Sequence, residues 1–222
     1  MSNYIISNYL RTIGSISRNV KEQVVMDARR SEYGVDPIFL NRWSPRGFDQ
    51  ASISRAELFK IVEAAKWAPS AYNIQPWRFV YSLRDDGFWK SHLALLDDFN
   101  QSWAKDASAL IFILANTVTV NEETNKQYEV KTAGFDTGAA WAQLALQASL
   151  MGYHAHAIAG LDFEGAKATL QLPEAVKLQA GIAIGRKGNI EDLPVELQER
   201  ETPSPRKPVQ DLLFAGNFSH DD

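Results

Sequence analysis

The chain contains no cysteine, which excludes disulfides, thiol nucleophiles and cysteine-ligated metal or iron–sulfur centres. It has no run of eighteen apolar residues, so no segment reads as a membrane span. The opening Met1-Ser2-Asn3-Tyr4-Ile5-Ile6 has neither the basic stretch nor the continuous apolar core of a signal peptide. There is no excess of cations either: Lys+Arg 23 against Asp+Glu 27 gives a net charge of −4 and a pI near 5.6, without the electrostatic footprint of a nucleic-acid or anionic-membrane binder. The expectation is a cytoplasmic chain with neither as partner. Several signatures are also missing. No Gly-x-Gly-x-x-Gly opens a helix, Gly181-Ile182-Ala183-Ile184-Gly185-Arg186-Lys187-Gly188 lacks the Gly-Lys-Ser/Thr of a P-loop, and no Gly-x-Ser-x-Gly elbow occurs. His154 and His156 share one face of a predicted strand but have no third donor nearby, so they are expected to be packed or hydrogen-bonded and no metal site is expected. Asp97-Asp98 and Asp221-Asp222 read as a solvated helix end and a terminus rather than a catalytic pair.

What is present is an ordinary globular composition. Of 222 residues, 45% are hydrophobic, enough for one large domain with a real core. We expect a single domain over residues 1–222. Residues 1–40 read as a polar extension with a helix over 21–33. Residues 189–222 read as a charged tail, marked by Pro194, Pro203, Pro205 and Pro208, that either dangles or wraps a partner subunit. Ser54 and Glu57 form a capping box, Ile53 and Leu58 a hydrophobic staple, and Leu58, Ile61, Val62 and Ala65 recur at helical spacing, which predicts a helix over 54–68 stopped by Pro69. A second helix is predicted over 136–151 with Gly152 as its C′ residue. Ala139, Ala140, Trp141, Leu144, Leu146, Ala148 and Leu150 cover nearly its whole circumference, so it belongs at the centre of the domain or against a partner subunit. Short β-rich runs at 79–82, 109–115, 154–159 and 180–185 alternate with helical patterns at 88–99 and 163–170, an α+β or α/β arrangement.

Between the first helix and the first strand runs Ala68-Pro69-Ser70-Ala71-Tyr72-Asn73-Ile74-Gln75-Pro76-Trp77. Its prolines forbid a helix while Ser70, Asn73 and Gln75 offer directed hydrogen bonds, the composition of a rigid polar loop that reads a flat heteroaromatic molecule. Upstream, Arg42, Ser44 and Arg46 alternate. An extended segment would present these two guanidinium forks and the hydroxyl together, a set suited to a phosphate and, taken alone, equally to a solvated turn. Together the two segments closely resemble the paired N-terminal motifs of the FMN-dependent nitroreductase family. The resemblance continues, in consistent order over residues 42–210, through 136–152, Ala159-Gly160 and Pro203-Ser204-Pro205-Arg206-Lys207-Pro208.

The resemblance implies an α+β nitroreductase-like fold, with a central mixed or antiparallel sheet flanked by helices and two copies forming a homodimer. It implies FMN as cofactor and NADH or NADPH as electron donor. Arg42, Ser44 and Arg46 would hold the phosphate and ribityl chain, and Pro69, Ser70, Asn73 and Gln75 would reach the isoalloxazine from the other subunit. Ala159 and Gly160 would lie beside flavin N5. Ser204, Arg206 and Lys207 would return to the phosphate, with Arg206 as its third ligand. The implied activity is hydride transfer from NAD(P)H through flavin N5 to a small-molecule acceptor such as a nitroaromatic, a quinone or free flavin, so no catalytic side chain is named. The alternative is a non-catalytic FMN-binding carrier or sensor of the same fold. Trp77 and Phe79 are expected in the core, and residues 100–135 form either a surface connection with Trp103 tucked inward or part of the acceptor pocket.

Overall fold

The computed structural model describes residues 29–218. The described chain forms two compact units, residues 37–201 and, separately, the described parts of the chain ends, 29–36 with 202–218. In the larger unit the elements run α1 (Pro37–Asn41), α2 (Arg55–Ala65), β1 (Trp77–Leu83), α3 (Trp89–Leu93), α4 (Asp98–Ala104), β2 (Ala109–Asn116), β3 (Val118–Val120), β4 (Gln127–Glu129), α5 (Ala133–Leu150), β5 (His154–Ile158), α6 (Phe163–Thr169), β6 (Val176–Gly185) and α7 (Val195–Gln198). Four strands make one sheet in the order β1-β2-β6-β5, and every neighbouring pair is antiparallel.

The uninterrupted apolar run of β2 has a direct explanation. Successive side chains of a strand point to opposite faces. Ala109, Ile111 and Ile113 pack with Leu58, Ile61 and Ala65 of α2 and Leu144 and Ala148 of α5. Leu110 packs on the other face with Trp89 and Trp103, and Phe112 and Leu114 pack with Leu95 and Ala166. Both faces are therefore covered, which accounts for apolar residues at successive positions rather than an alternating pattern. Trp77 joins the first of these clusters and Phe79 packs against it, as expected of core aromatics, and Trp103 is fully buried.

Helix α2 starts where its local chemistry dictates. Ser54 Oγ accepts from the Glu57 N–H at 3.1 Å and the Glu57 carboxylate accepts from the Ser54 N–H at 3.1 Å, the reciprocal capping box. The helix ends at Ala65, before Pro69, because Lys66, Trp67 and Ala68 bond three residues back and tighten into turns. Helix α5 ends as predicted, with Met151 as C-cap and Gly152 at φ +75°. It is not buried all round within one chain: Ala140, Leu144, Ala145 and Ala148 are inside, while Phe135 is 84% exposed and Leu150 69%.

The helical pattern at 88–99 is two helices. Leu95 and Leu96 turn inward into different clusters, Leu96 bridges to Leu161, and Asp97 caps a new helix by accepting from the Asn100 N–H at 2.7 Å. The polar stretch after β2 forms the hairpin β3–β4, whose turn is closed by Asn121 Oδ1 accepting from Glu123 and Thr124 N–H groups.

In the unit of chain ends, Arg29 Nε donates to the Ser204 carbonyl at 2.9 Å and Gln210 Nε2 lies 3.2 Å from the Tyr33 hydroxyl. The helix expected over residues 21–33 lies mostly outside the described residues, and its described end, from 29 to 33, has no helix. Among the described residues no helix is long and apolar enough to cross a membrane.

Candidate active site

The segment from Arg42 to Gly47 runs extended out of α1 and is pinned to the chain beyond β6 by Asp49 N–H to Arg186 O at 3.1 Å and Gly188 N–H to Gly47 O at 2.9 Å. Its burial alternates as the sequence pattern requires: Trp43, Pro45 and Gly47 are buried, while Arg42, Ser44 and Arg46 are half-buried. Arg42 Nη1 lies 3.5 Å from Ser44 Oγ. Arg42 and Ser44 line a cavity of about 420 Å³ together with Phe39, Trp141, Leu146 and His156, a volume in the range of small-ligand sites.

Arg46 lies deeper. Its guanidinium sits 6.0 Å from the Trp103 ring centroid, and its Nε is buried without a hydrogen-bond partner. Burial, reinforced by the nearby Arg200 and opposed by Glu201, pushes this arginine below its usual range. Positive potential extends along the same wall. His154, edge-on to Trp43 at 6.2 Å, is held below the ordinary histidine range first by burial, then by Lys187, with a further contribution from Arg42. His156 stacks on Trp103 at 4.7 Å, and burial, with Arg46 adding to it, lowers its pKa to about 4. Both imidazoles are thus neutral near pH 7, as expected of packed histidines, and among the described residues no group of three metal donors forms.

The loop after α2 has another character. Ser70 Oγ accepts from the Gln75 N–H at 3.0 Å, and Arg78 Nη1 donates to the Gln75 carbonyl at 2.9 Å. Tyr72, Asn73 and Gln75 all adopt left-handed backbone, at φ 51°, 55° and 52°, which non-glycine residues hold only at a cost. The loop is tied to α5 at one point, where the buried Asp136 accepts from the Ala71 N–H at 3.2 Å and from Thr132 Oγ1 at 2.9 Å. Pro69, Asn73 and Gln75 are exposed and Ser70 partly so. None of them lines the Arg42 cavity.

Ala159 is exposed in the turn after β5. Gly160 has a reason of its own to lack a side chain: a Cβ there would fall inside the contact distance of the Asp97 carboxylate and the Asn100 amide, and its carbonyl accepts from the Asp97 N–H at 3.1 Å. In the unit of chain ends, Arg206 Nη1 folds back onto the Ser204 carbonyl, the Ser204 hydroxyl and the Pro205 carbonyl at 2.9–3.1 Å, and Lys207 is exposed. The structure therefore brings Arg42 and Ser44 to one cavity, sets Arg46 beside Trp103 on the same segment, and leaves the Ser70–Gln75 loop apart from that cavity.

Sequence reasoning missed Glu201, whose carboxylate is 5% exposed and accepts from the backbone N–H groups of Arg46 and Gly47 at 2.8–2.9 Å. It also missed His156 as a wall of the cavity, Lys187 as a neighbouring cation, and Asp136 as the anchor of the loop. Their sequence neighbourhoods carry no motif; only the alternation of His154 and His156 signalled a common face.

Arginine forks, a hydroxyl and an orphaned buried guanidinium nitrogen form a donor set that fits a phosphate ester. The fold is α+β, and this segment carries groups suited to an anion. The Nitroreductase family profile matches residues 40–91 and 82–186, and the chain belongs to that family. It is 33% identical over 182 residues to a Lactiplantibacillus plantarum enone reductase of CLA biosynthesis, covering 67% of this chain and 83% of that one. It shares 40% identity over 73 residues with an oxygen-insensitive NADPH nitroreductase of Helicobacter pylori (strain J99 / ATCC 700824), covering 32% of this chain and 34% of that one. A crystal structure described as an oxidoreductase containing FMN superposes with a TM-score of 0.83 at 46% identity, covering 86% of this chain and 96% of that one.

Proposed function

We propose that the protein is an FMN-dependent NAD(P)H oxidoreductase that reduces a small oxidised acceptor such as a nitroaromatic, a quinone or free flavin. The observation that carries this reading is the phosphate-suited segment with Arg42 and Ser44 lining a cavity and the buried Arg46 Nε unpartnered, in a chain of the nitroreductase family. The enone reductase relative adds an activated carbon–carbon double bond to the acceptor classes worth testing.

FMN, which Arg42, Ser44 and Arg46 would hold, would supply the redox chemistry of a reaction between NAD(P)H and the acceptor. The chain's own part is binding and orientation. Arg42 and Arg46 would neutralise the phosphate and Ser44 would donate its hydroxyl to it. Ser204, Arg206 and Lys207 are assigned to the same phosphate by family resemblance. Ser70, Asn73 and Gln75 present hydroxyl and amide groups to the edge of the ring, with Pro69 holding the loop entry, and Ala159 and Gly160 offer backbone donors near N5. The exposed Phe135 and Leu150 of α5 support a homodimer in which the partner covers this face and the two flavin sites lie at the interface.

The test is direct. Purified protein should show a flavin absorbance band or acquire one with FMN, and FMN at about a hundred times its Kd should stabilise the fold by about 2.7 kcal/mol, read as a rise in Tm. No bound chromophore together with no thermal shift overturns the reading.

A further inference from the structure

One peptide group in the basic segment is gripped at both ends. The Pro45 carbonyl lies 2.8 Å from His156 Nδ1; a carbonyl only accepts, so Nδ1 carries the proton and donates. On the other side of the same peptide bond, the Arg46 N–H lies 2.9 Å from both carboxylate oxygens of Glu201, which also accepts from the Gly47 N–H at 2.8 Å. The two gripping side chains come from β5 and from the chain beyond α7, separated from this segment by 111 and 155 residues, so no local turn accounts for the pairing. A carboxylate taken out of water needs replacement hydrogen bonds, and backbone N–H groups supply them. Glu201 is itself unsuited to touching a phosphate, because like charges repel. Its buried position is explained by what it does to the backbone. Turning a peptide plane swings the residues on either side of it, so a plane fixed at both its carbonyl and its N–H fixes the direction in which Arg46 leaves the chain and the path of the backbone through Pro45.

We infer that His156 and Glu201 are positioning residues for phosphate recognition, holding the peptide between Pro45 and Arg46 so that Arg46 is aimed before the ligand arrives. This rests on the flavin reading above. Such preorganisation raises affinity by removing the cost of ordering the segment at binding.

The experiment compares the full-length wild type with His156→Leu, His156→Asn and Glu201→Gln, each first shown by thermal unfolding to be folded. FMN and riboflavin are titrated by fluorescence quenching, and amide exchange at Arg46 and Gly47 is followed by NMR without flavin. His156→Leu and Glu201→Gln should each weaken FMN by about tenfold or more, with riboflavin, which lacks the phosphate, changed by less than about threefold. His156→Asn, which keeps an N–H donor near the position of Nδ1, should recover most of the loss. Glu201→Gln should speed exchange at Arg46 and Gly47 by about tenfold. Wild-type FMN affinity in both variants, equal loss of FMN and riboflavin, or unchanged amide exchange would each overturn the proposal. Accelerated exchange in a protein whose wild type binds no FMN removes the phosphate role along with the flavin reading and leaves only a backbone clamp.

Discussion

The segment carrying Arg42, Ser44 and Arg46 is held by distant parts of its own chain, whereas the loop carrying Ser70, Asn73 and Gln75 is held mainly by itself. In the first, buried side chains from β5 and from beyond α7 fix the backbone, and strand-like bonds pin it to the chain after β6. In the second, one serine hydroxyl and one arginine close the loop, three residues sit in left-handed backbone, and Tyr72 is 98% exposed. The contrast separates two ways of making a binding surface. One is preset by the fold, while the other keeps strain and exposed polar groups that a ligand or a second subunit must satisfy.

The largest effect should come from the preset half. Arg42→Ala with Arg46→Ala should weaken FMN binding by about 3–6 kcal/mol if two charged hydrogen-bonding groups are lost additively. Arg55→Ala, on the exposed start of α2, should leave it nearly unchanged, and isothermal titration measures both. Equal losses in the two proteins would erase the special status of the basic segment.

A somewhat smaller effect concerns pH and again falls on one side of the comparison. The His156 pKa is lowered to about 4 by burial, with Arg46 assisting. Between the ordinary histidine value of about 6.5 and that value the unfolded chain binds a proton that the native chain does not, so stability falls as pH falls, by up to about 3 kcal/mol from this residue. Buried His92 and half-buried His154 shift in the same direction. Urea unfolding at pH 7 and pH 4.5 should show the drop, and His156→Asn should flatten it, whereas the Ser70–Gln75 loop contains no histidine and contributes nothing to it.

The smallest effect belongs to the loop. Tyr72 has φ 51° and almost no contacts to lose, so Tyr72→Gly should raise stability by up to about 1 kcal/mol, relief of the left-handed strain exceeding the added freedom of the unfolded chain. A fall in Tm would mean that the tyrosine packs in solution against something outside its own subunit, which would sharpen the dimer reading.

Sequence alone was sufficient wherever the chemistry is local. The Ser54–Glu57 box, the helical spacing of Leu58, Ile61 and Ala65, and the glycine closing α5 were read correctly because each involves residues within one or two turns. The alternation of Arg42, Ser44 and Arg46 also survived, because a strand's two faces follow from its backbone. The break between α3 and α4 was hidden because Leu95 and Leu96 continue a helical pattern and only tertiary burial pulls them apart. Glu201, Asp136 and the His156 bond to Pro45 were invisible for a related reason: their partners lie 155, 65 and 111 residues away, and nothing in a short window records which distant backbone a carboxylate or imidazole will meet.

Gly160 has a mechanical consequence. Its carbonyl receives the Asp97 N–H, and its missing side chain leaves room for the Asp97 carboxylate that caps α4. Helix α4 carries Trp103, Trp103 stacks on His156, and His156 stands in β5, four residues before Gly160. These contacts close a circuit from the turn through the helix and back into the strand. A strand at the end of a sheet has a neighbour on one side only, and β5 ends the order β1-β2-β6-β5. Here an edge strand and the turn that follows it are both tied, through Trp103 and Asp97, to the same short helix.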